Sequence, residues 1–133
     1  MIIDWEGQAD RPLSDRRRKR SPLRDVASML TSFHYAVRCA LGSGNVRAQD
    51  IPALAPWARF WEAWISSAFL KAYLEVALQD SFLPKSREEL GALLDFTLLK
   101  RAVNELRREL TYSPERLSVA LSMLLQLTEA KST

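Results

Sequence analysis

The chain has 133 residues, 47% of them hydrophobic and 26% charged, with 4 Gly, 6 Pro, one Cys and a formal net charge of +3. That is enough for one domain with a moderate core, and it excludes a disordered, collagen-like or disulfide-stapled protein. The most apolar stretch, Trp57 to Leu78, is interrupted by Arg59, Glu62, Lys71 and Glu75, so no segment reads as a membrane span.

Met1-Ile2-Ile3 has the composition of a strand end, and Asp4-Trp5-Glu6-Gly7 follows it with two carboxylates one residue apart. Phosphotransfer folds deliver hard oxygen ligands to a Mg²⁺-nucleotide in this way, at the end of a strand. No second strand is legible for this remnant to pair with, and the backbone of a lone strand needs ladder partners. The expectation is a sheet completed by residues upstream of Met1 or by a partner. The acidic start, with no basic region leading into an apolar core, argues against a signal peptide. With Cys39 as the lone cysteine, a reducing, cytoplasmic setting is expected.

Residues 8–20 are polar, end in the block Arg16-Arg17-Arg18-Lys19-Arg20, and read as an exposed basic connector. The rest, residues 21–133, reads as a helical lobe. Ser21-Pro22 opens the first long helix, with serine to cap the orphan amides, proline preset at the first position and Asp25 in the first turn. Leu23, Val26, Leu30, Phe33, Val37 and Leu41 recur at three and four, and Gly42-Ser43-Gly44-Asn45 ends the helix.

A second helix is expected from near Pro56 to about Asp80. Trp57, Phe60, Trp61, Trp64, Ile65, Ala68 and Ala72 form its wide apolar face, and Arg59, Glu62, Lys71 and Glu75 its wetter side. Ser86-Arg87-Glu88-Glu89 has capping-box spacing and starts a third helix to about Tyr112. Leu90, Leu93, Leu94, Leu98, Ala102, Leu106 and Leu110 lie inside; Lys100, Arg101, Glu105, Arg107 and Arg108 lie outside. Ser113-Pro114-Glu115 opens the last helix, with Leu117, Leu121, Leu124, Leu125 and Leu127 inward.

Several stretches together resemble bacterial maltokinase. They are Ile2-Ile3-Asp4-Trp5-Glu6-Gly7, Pro12-Leu13-Ser14, Arg16 through Leu30, Ser32-Phe33-His34-Tyr35-Ala36, Trp61-Glu62-Ala63-Trp64 and Ala102-Val103-Asn104-Glu105-Leu106. That family, often fused to trehalose synthase, belongs to the aminoglycoside-phosphotransferase-like branch of the protein-kinase-like fold. The resemblance implies a mostly α chain: a four-helix C-terminal lobe of a protein-kinase-like fold with a short N-terminal strand remnant, forming one partial domain. It implies ATP-dependent conversion of maltose to maltose 1-phosphate, with Mg²⁺ and ATP as cofactors of the intact enzyme and neither held tightly by this chain.

By the same likeness Asp4 is a metal-binding aspartate, Glu6 its neighbour at the metal, and Asp25 a support for the catalytic-loop backbone. No catalytic base lies within the chain; it is expected upstream of Met1, with the nucleotide lobe. Phosphoryl transfer needs all those parts placed together, so the chain alone is expected to be inactive. Partners implied are maltose, a missing N-terminal kinase lobe and trehalose synthase. The sequence departs from the family pattern at Trp5, Gln8 and Ala9, and at Tyr112-Ser113-Pro114-Glu115-Arg116, where the family tends to show Asn-Arg-Pro-x-Trp.

Each candidate has a plainer reading beside the functional one. Asp4 and Glu6 are either two solvated carboxylates or a metal site. The basic block is a solvated connector or an anionic-partner patch; without interleaved aromatics no nucleic-acid partner is expected, nor a membrane. Trp57 and Trp61, with Trp64, either pack in the core or stack on a sugar. Arg101 and Glu105 either pair on a helix surface or bind sugar. His34, with no partner at ligand spacing, reads as a surface or partly buried histidine, and Cys39 as an inert helix cysteine. A non-catalytic helical interaction module and one half of a split kinase are the alternatives to a decayed or truncated kinase.

Overall fold

The computed structural model describes residues 13–16, 20–42 and 44–129. The strand remnant, Asp4, Glu6 and most of the basic block lie outside the described residues. A short helix α1 (Leu13–Arg16) precedes four long ones: α2 (Leu23–Gly42), α3 (Ile51–Ala77), α4 (Arg87–Tyr112) and α5 (Leu117–Glu129). Single 3₁₀ turns at Ala48–Asp50 and Pro114–Arg116 lead into α3 and α5. The chain is mostly helical, with no strand among the described residues. The helical turn α1 falls inside the stretch expected to be plain connector, where Leu13, Ser14 and Arg20 are exposed.

α2 is the hub. Ser21 Oγ accepts from the Leu23 amide at 3.3 Å and the Pro22 carbonyl from the Asp25 amide at 3.0 Å, so the start is capped as the sequence predicts. Its buried residues Leu23, Val26, Ala27, Thr31, His34 and Val37 cover more than one stripe, because α2 packs against α3, α4 and α5 at once. α4 packs against α2 and α5, whereas α3 runs along α2 and meets the others only through side chains, Ala77 in a cluster with Leu90 of α4 and Glu62 bonded by Gln126 of α5.

One core cluster gathers Leu23 and Val26 of α2, Ala77 of α3, Leu83 of the connecting loop and Leu90 of α4, with Phe69, Leu74 and Leu94 packed around it. Burying a leucine such as Leu23 contributes on the order of 1.5–3 kcal/mol. Fully buried Ala27, Ala102 and Ala120, one from each of α2, α4 and α5, keep the helices close.

Five expectations need correction. α3 begins at Ile51, five residues before Pro56, and ends at Ala77. Pro52 sits in its first turn, where a missing N–H costs nothing, and Pro56 lies inside the helix, where one backbone hydrogen bond is forgone. The aromatic face of α3 is largely solvent-facing: Trp57 is 71% exposed, Phe60 64% and Trp64 60%. With α3 packed mainly along α2, the side carrying Trp57, Phe60 and Trp64 has no described helix over it.

On α4, Glu105, expected outside, is buried, while Leu110, expected inside, is exposed. Arg101 and Arg108 pair with Glu105 and make its burial tolerable. On α5, Leu121 and Leu125 are exposed, and the buried stripe is Ala120 and Met123, one residue round the helix. The Ser86 cap is present, its Oγ accepting from the Glu89 amide at 3.4 Å, but Ser113 makes no side-chain cap.

Crowding the hub should therefore cost far more than trimming α3's outer face. Ala102→Leu is expected to lower unfolding free energy by about 1–3 kcal/mol. Trp57→Ser is expected to change it by less than about 0.5 kcal/mol. Urea denaturation followed by circular dichroism measures both; a Trp57→Ser loss as large as that of Ala102→Leu would place the α3 aromatics in the core.

Candidate functional site

Helical spacing builds a cleft between α2 and α4. Thr31, Tyr35 and Cys39 recur every four residues on one face of α2, and Arg101, Glu105 and Arg108 at four and three on α4. These residues, with Ser32, Ala36 and Arg116 from the turn before α5, line an open cleft of about 320 Å³.

Charge in the cleft is tightly organised on the α4 side. Arg101 Nη2 meets Glu105 Oε1 at 2.6 Å, Arg108 Nε lies 3.4 Å from Glu105 Oε2, and Arg108 Nη2 lies 3.5 Å from Glu109 Oε1. Glu109 is only 1% exposed. Burial pushes the Tyr35 hydroxyl up to about 12, reinforced by the negative charges of Glu109 and Glu105, with Arg108 pulling the other way. Tyr35 Oη, Arg101 Nε, Arg38 Nε and Glu109 Oε1 are all buried atoms with no hydrogen-bond partner among the described residues.

Behind the cleft, a buried imidazole ties three helices together. His34 of α2, 2% exposed, donates from Nδ1 to Glu62 Oε1 of α3 at 2.9 Å. Its Nε2 faces Ser122 Oγ at 2.9 Å and the Val119 carbonyl at 3.3 Å, both on α5. Ser122 Oγ also lies 2.8 Å from that same carbonyl, so its one proton can serve the carbonyl or the ring nitrogen. Gln126 Nε2 adds a donor to Glu62 Oε1 at 3.4 Å. Burial alone would raise the Glu62 carboxyl, but the hydrogen bond and charge of His34, helped by Arg38 and Gln126, hold it below the ordinary carboxylate range.

The order carboxylate, imidazole, hydroxyl also occurs in hydrolytic relays, where the hydroxyl gives its proton to the ring. Here His34 and Glu62 are buried where α2, α3 and α5 meet, and the arrangement acts as a brace.

Of the residues singled out from sequence, Asp4 and Glu6 lie outside the described residues. Asp25 is exposed in the first turn of α2, and its charge contributes, after burial, to raising the Tyr73 hydroxyl. Arg101 and Glu105 share the cleft. Trp57 and Trp61 sit on α3, outside that lining, so the two pairs of sugar candidates are not brought together. Trp61 does meet Phe33 of α2 edge-on, ring centroids 6.4 Å apart.

His34 is fully buried rather than at the surface, Glu62 is buried rather than on a wet side, and Cys39 is exposed at the cleft rather than in an apolar setting. Tyr35, Glu109 and Arg116 were not legible as site residues. The one available signal was Glu62 itself, a carboxylate set between Trp61 and Trp64 on an otherwise apolar face. No family model matches the chain, and no solved structure matches it.

Two pH effects follow, with opposite signs. The raised Tyr35 contributes stability that is intact below its ordinary value of 10.0 and is lost as pH climbs toward about 12. Tyr35→Phe should flatten the alkaline limb of stability against pH without abolishing it, since Tyr73 is also raised. The depressed Glu62 contributes stability present above its ordinary 4.5 and lost as pH falls through its lower folded value. Glu62→Gln should flatten the acid limb below that point. Denaturant midpoints across both windows test this; unchanged limbs would contradict it.

Proposed function

We propose that this chain is the helical, sugar-facing lobe of an ATP-dependent maltokinase-type phosphotransferase, working only together with a nucleotide-binding lobe and a catalytic loop. One observation carries the proposal: the helical stretches that resemble maltokinase meet in space. Glu62 from Trp61–Trp64 bonds His34 from Ser32–Ala36, and Tyr35 from that same stretch shares the cleft with Glu105 from Ala102–Leu106. Segments separated by tens of residues in sequence thus form one surface.

The work proposed for that surface is holding sugar. The Arg101–Glu105 pair offers donors and acceptors at the spacing of neighbouring hydroxyls, and the Tyr35 hydroxyl stays protonated as a donor. Bound Mg²⁺ would neutralise charge on the transferring phosphoryl group, through Asp4 and Glu6 by the family likeness. Among the described residues no group of three or more His, Cys, Asp or Glu side chains could hold a metal ion. The part assigned to the helices is accordingly orientation of the acceptor sugar.

A second reading, a non-catalytic interaction module, is favoured by the exposed Trp57, Phe60 and Trp64. Apolar patches of this kind mark interfaces. Co-expression with a polypeptide carrying a maltokinase nucleotide lobe and catalytic loop separates the two. The expected outcome is maltose 1-phosphate from ATP and maltose when both pieces are present and none from either alone. A co-purifying pair that transfers no phosphate to maltose would leave the interaction module, and activity of this chain alone would overturn the half-enzyme reading.

A further inference from the structure

We propose that the cleft between α2 and α4 is a phosphate site, built to take the phosphate group of a sugar phosphate or free inorganic phosphate. The proposal rests on the cleft being a ligand-facing surface; phosphate binding needs no catalytic lobe, so its failure and that of the kinase reading can be told apart.

The first argument is an excess of donors. Three guanidiniums, those of Arg101, Arg108 and Arg116, line the cleft against a single lining carboxylate, Glu105. Both Glu105 oxygens are already engaged, one by Arg101 and one by Arg108, and the carboxylate behind them, Glu109, is paired to Arg108. Arg116 has no ion pair among the described residues. Arg101 Nε is a buried donor without an acceptor. A ligand that only accepts hydrogen bonds and carries negative charge completes this set.

The second argument is shape. Arg101 and Arg108 stand about two helical turns apart on α4, and Arg116 enters from the 3₁₀ turn, so the cations come from two elements. Guanidiniums bind phosphate bidentately, and the several oxygens of a phosphate can be shared among such forks. A volume of about 320 Å³ leaves room for a sugar attached to the phosphate. The cleft is open and Arg116 and Arg108 are exposed, so binding is expected to be modest.

Cys39, the lone cysteine, is exposed and lines the same cleft, and serves as a reporter. Calorimetric titration of the full chain with inorganic phosphate, maltose 1-phosphate and maltose, alongside the rate of Cys39 alkylation by N-ethylmaleimide, tests the proposal. Maltose 1-phosphate is expected to bind saturably and slow alkylation, with maltose at least about tenfold weaker. Inorganic phosphate matching the ester would identify the free ion as the ligand; a tighter ester would identify the sugar phosphate.

Arg116→Gln, an exposed position outside the α2–α4 packing, should weaken binding about tenfold. Arg107→Gln, the same charge change at an exposed residue of α4 that does not line the cleft, should leave it within about twofold. Equal losses in the two variants, protection by maltose as strong as by its phosphate, or no saturable binding of either phosphate would overturn the proposal.

Discussion

The interaction on which the rest of the structure depends is the buried contact between His34 and Glu62. The backbone of α3 lies close to α2 and to no other long helix, so its angle on the bundle is set chiefly by what it shares with α2. Apolar contact such as Phe33 against Trp61 and Phe69 is adaptable, whereas a charged hydrogen bond at 2.9 Å inside the protein is directional. His34 then reaches through Nε2 to Ser122 and Val119, so a single side chain aligns α2, α3 and α5. The buried charge is tolerated because Glu62 Oε1 takes both the ring and the Gln126 amide, although Glu62 Oε2 has no hydrogen-bond partner among the described residues.

The same helix that carries His34 presents Tyr35 one residue later, turned by about 100° toward α4. Fixing the brace therefore fixes one wall of the cleft. The opposite wall is held by Arg101 and Arg108 around Glu105, with Glu109 behind. Two buried carboxylates on α4 and one on α3 are each neutralised by a cationic or donating neighbour, and the guanidinium left over, Arg116, sits at the cleft. The polar interior and the cleft are thus parts of one charge arrangement.

Local signals were legible in the sequence and long-range ones were not. Ser21-Pro22 and Ser86 through Glu89 marked helix starts, because capping involves residues within one turn. Arg101 and Glu105 could be paired from their spacing, but an i, i+4 pair looks the same whether solvated or buried. The partners of His34 lie 28 and 88 residues away, beyond any periodicity. The tryptophans of α3 imitate a core face by spacing alone; that no described helix covers them is decided by the order in which helices pack. On α5 the small Ala120 takes the innermost place because α4 and α2 approach closely there, rotating the leucines outward.

The central claim is that the His34–Glu62 pair holds α3 against α2 and α5. A double-mutant cycle on unfolding free energy, with His34→Leu, Glu62→Leu and both, tests it most directly. Each single substitution strands a buried polar partner and should destabilise by about 3–5 kcal/mol, while the double removes both and should fall short of the sum by at least about 1.5 kcal/mol. Additivity within about 0.5 kcal/mol would mean that the two side chains do not act on each other, and would contradict the account.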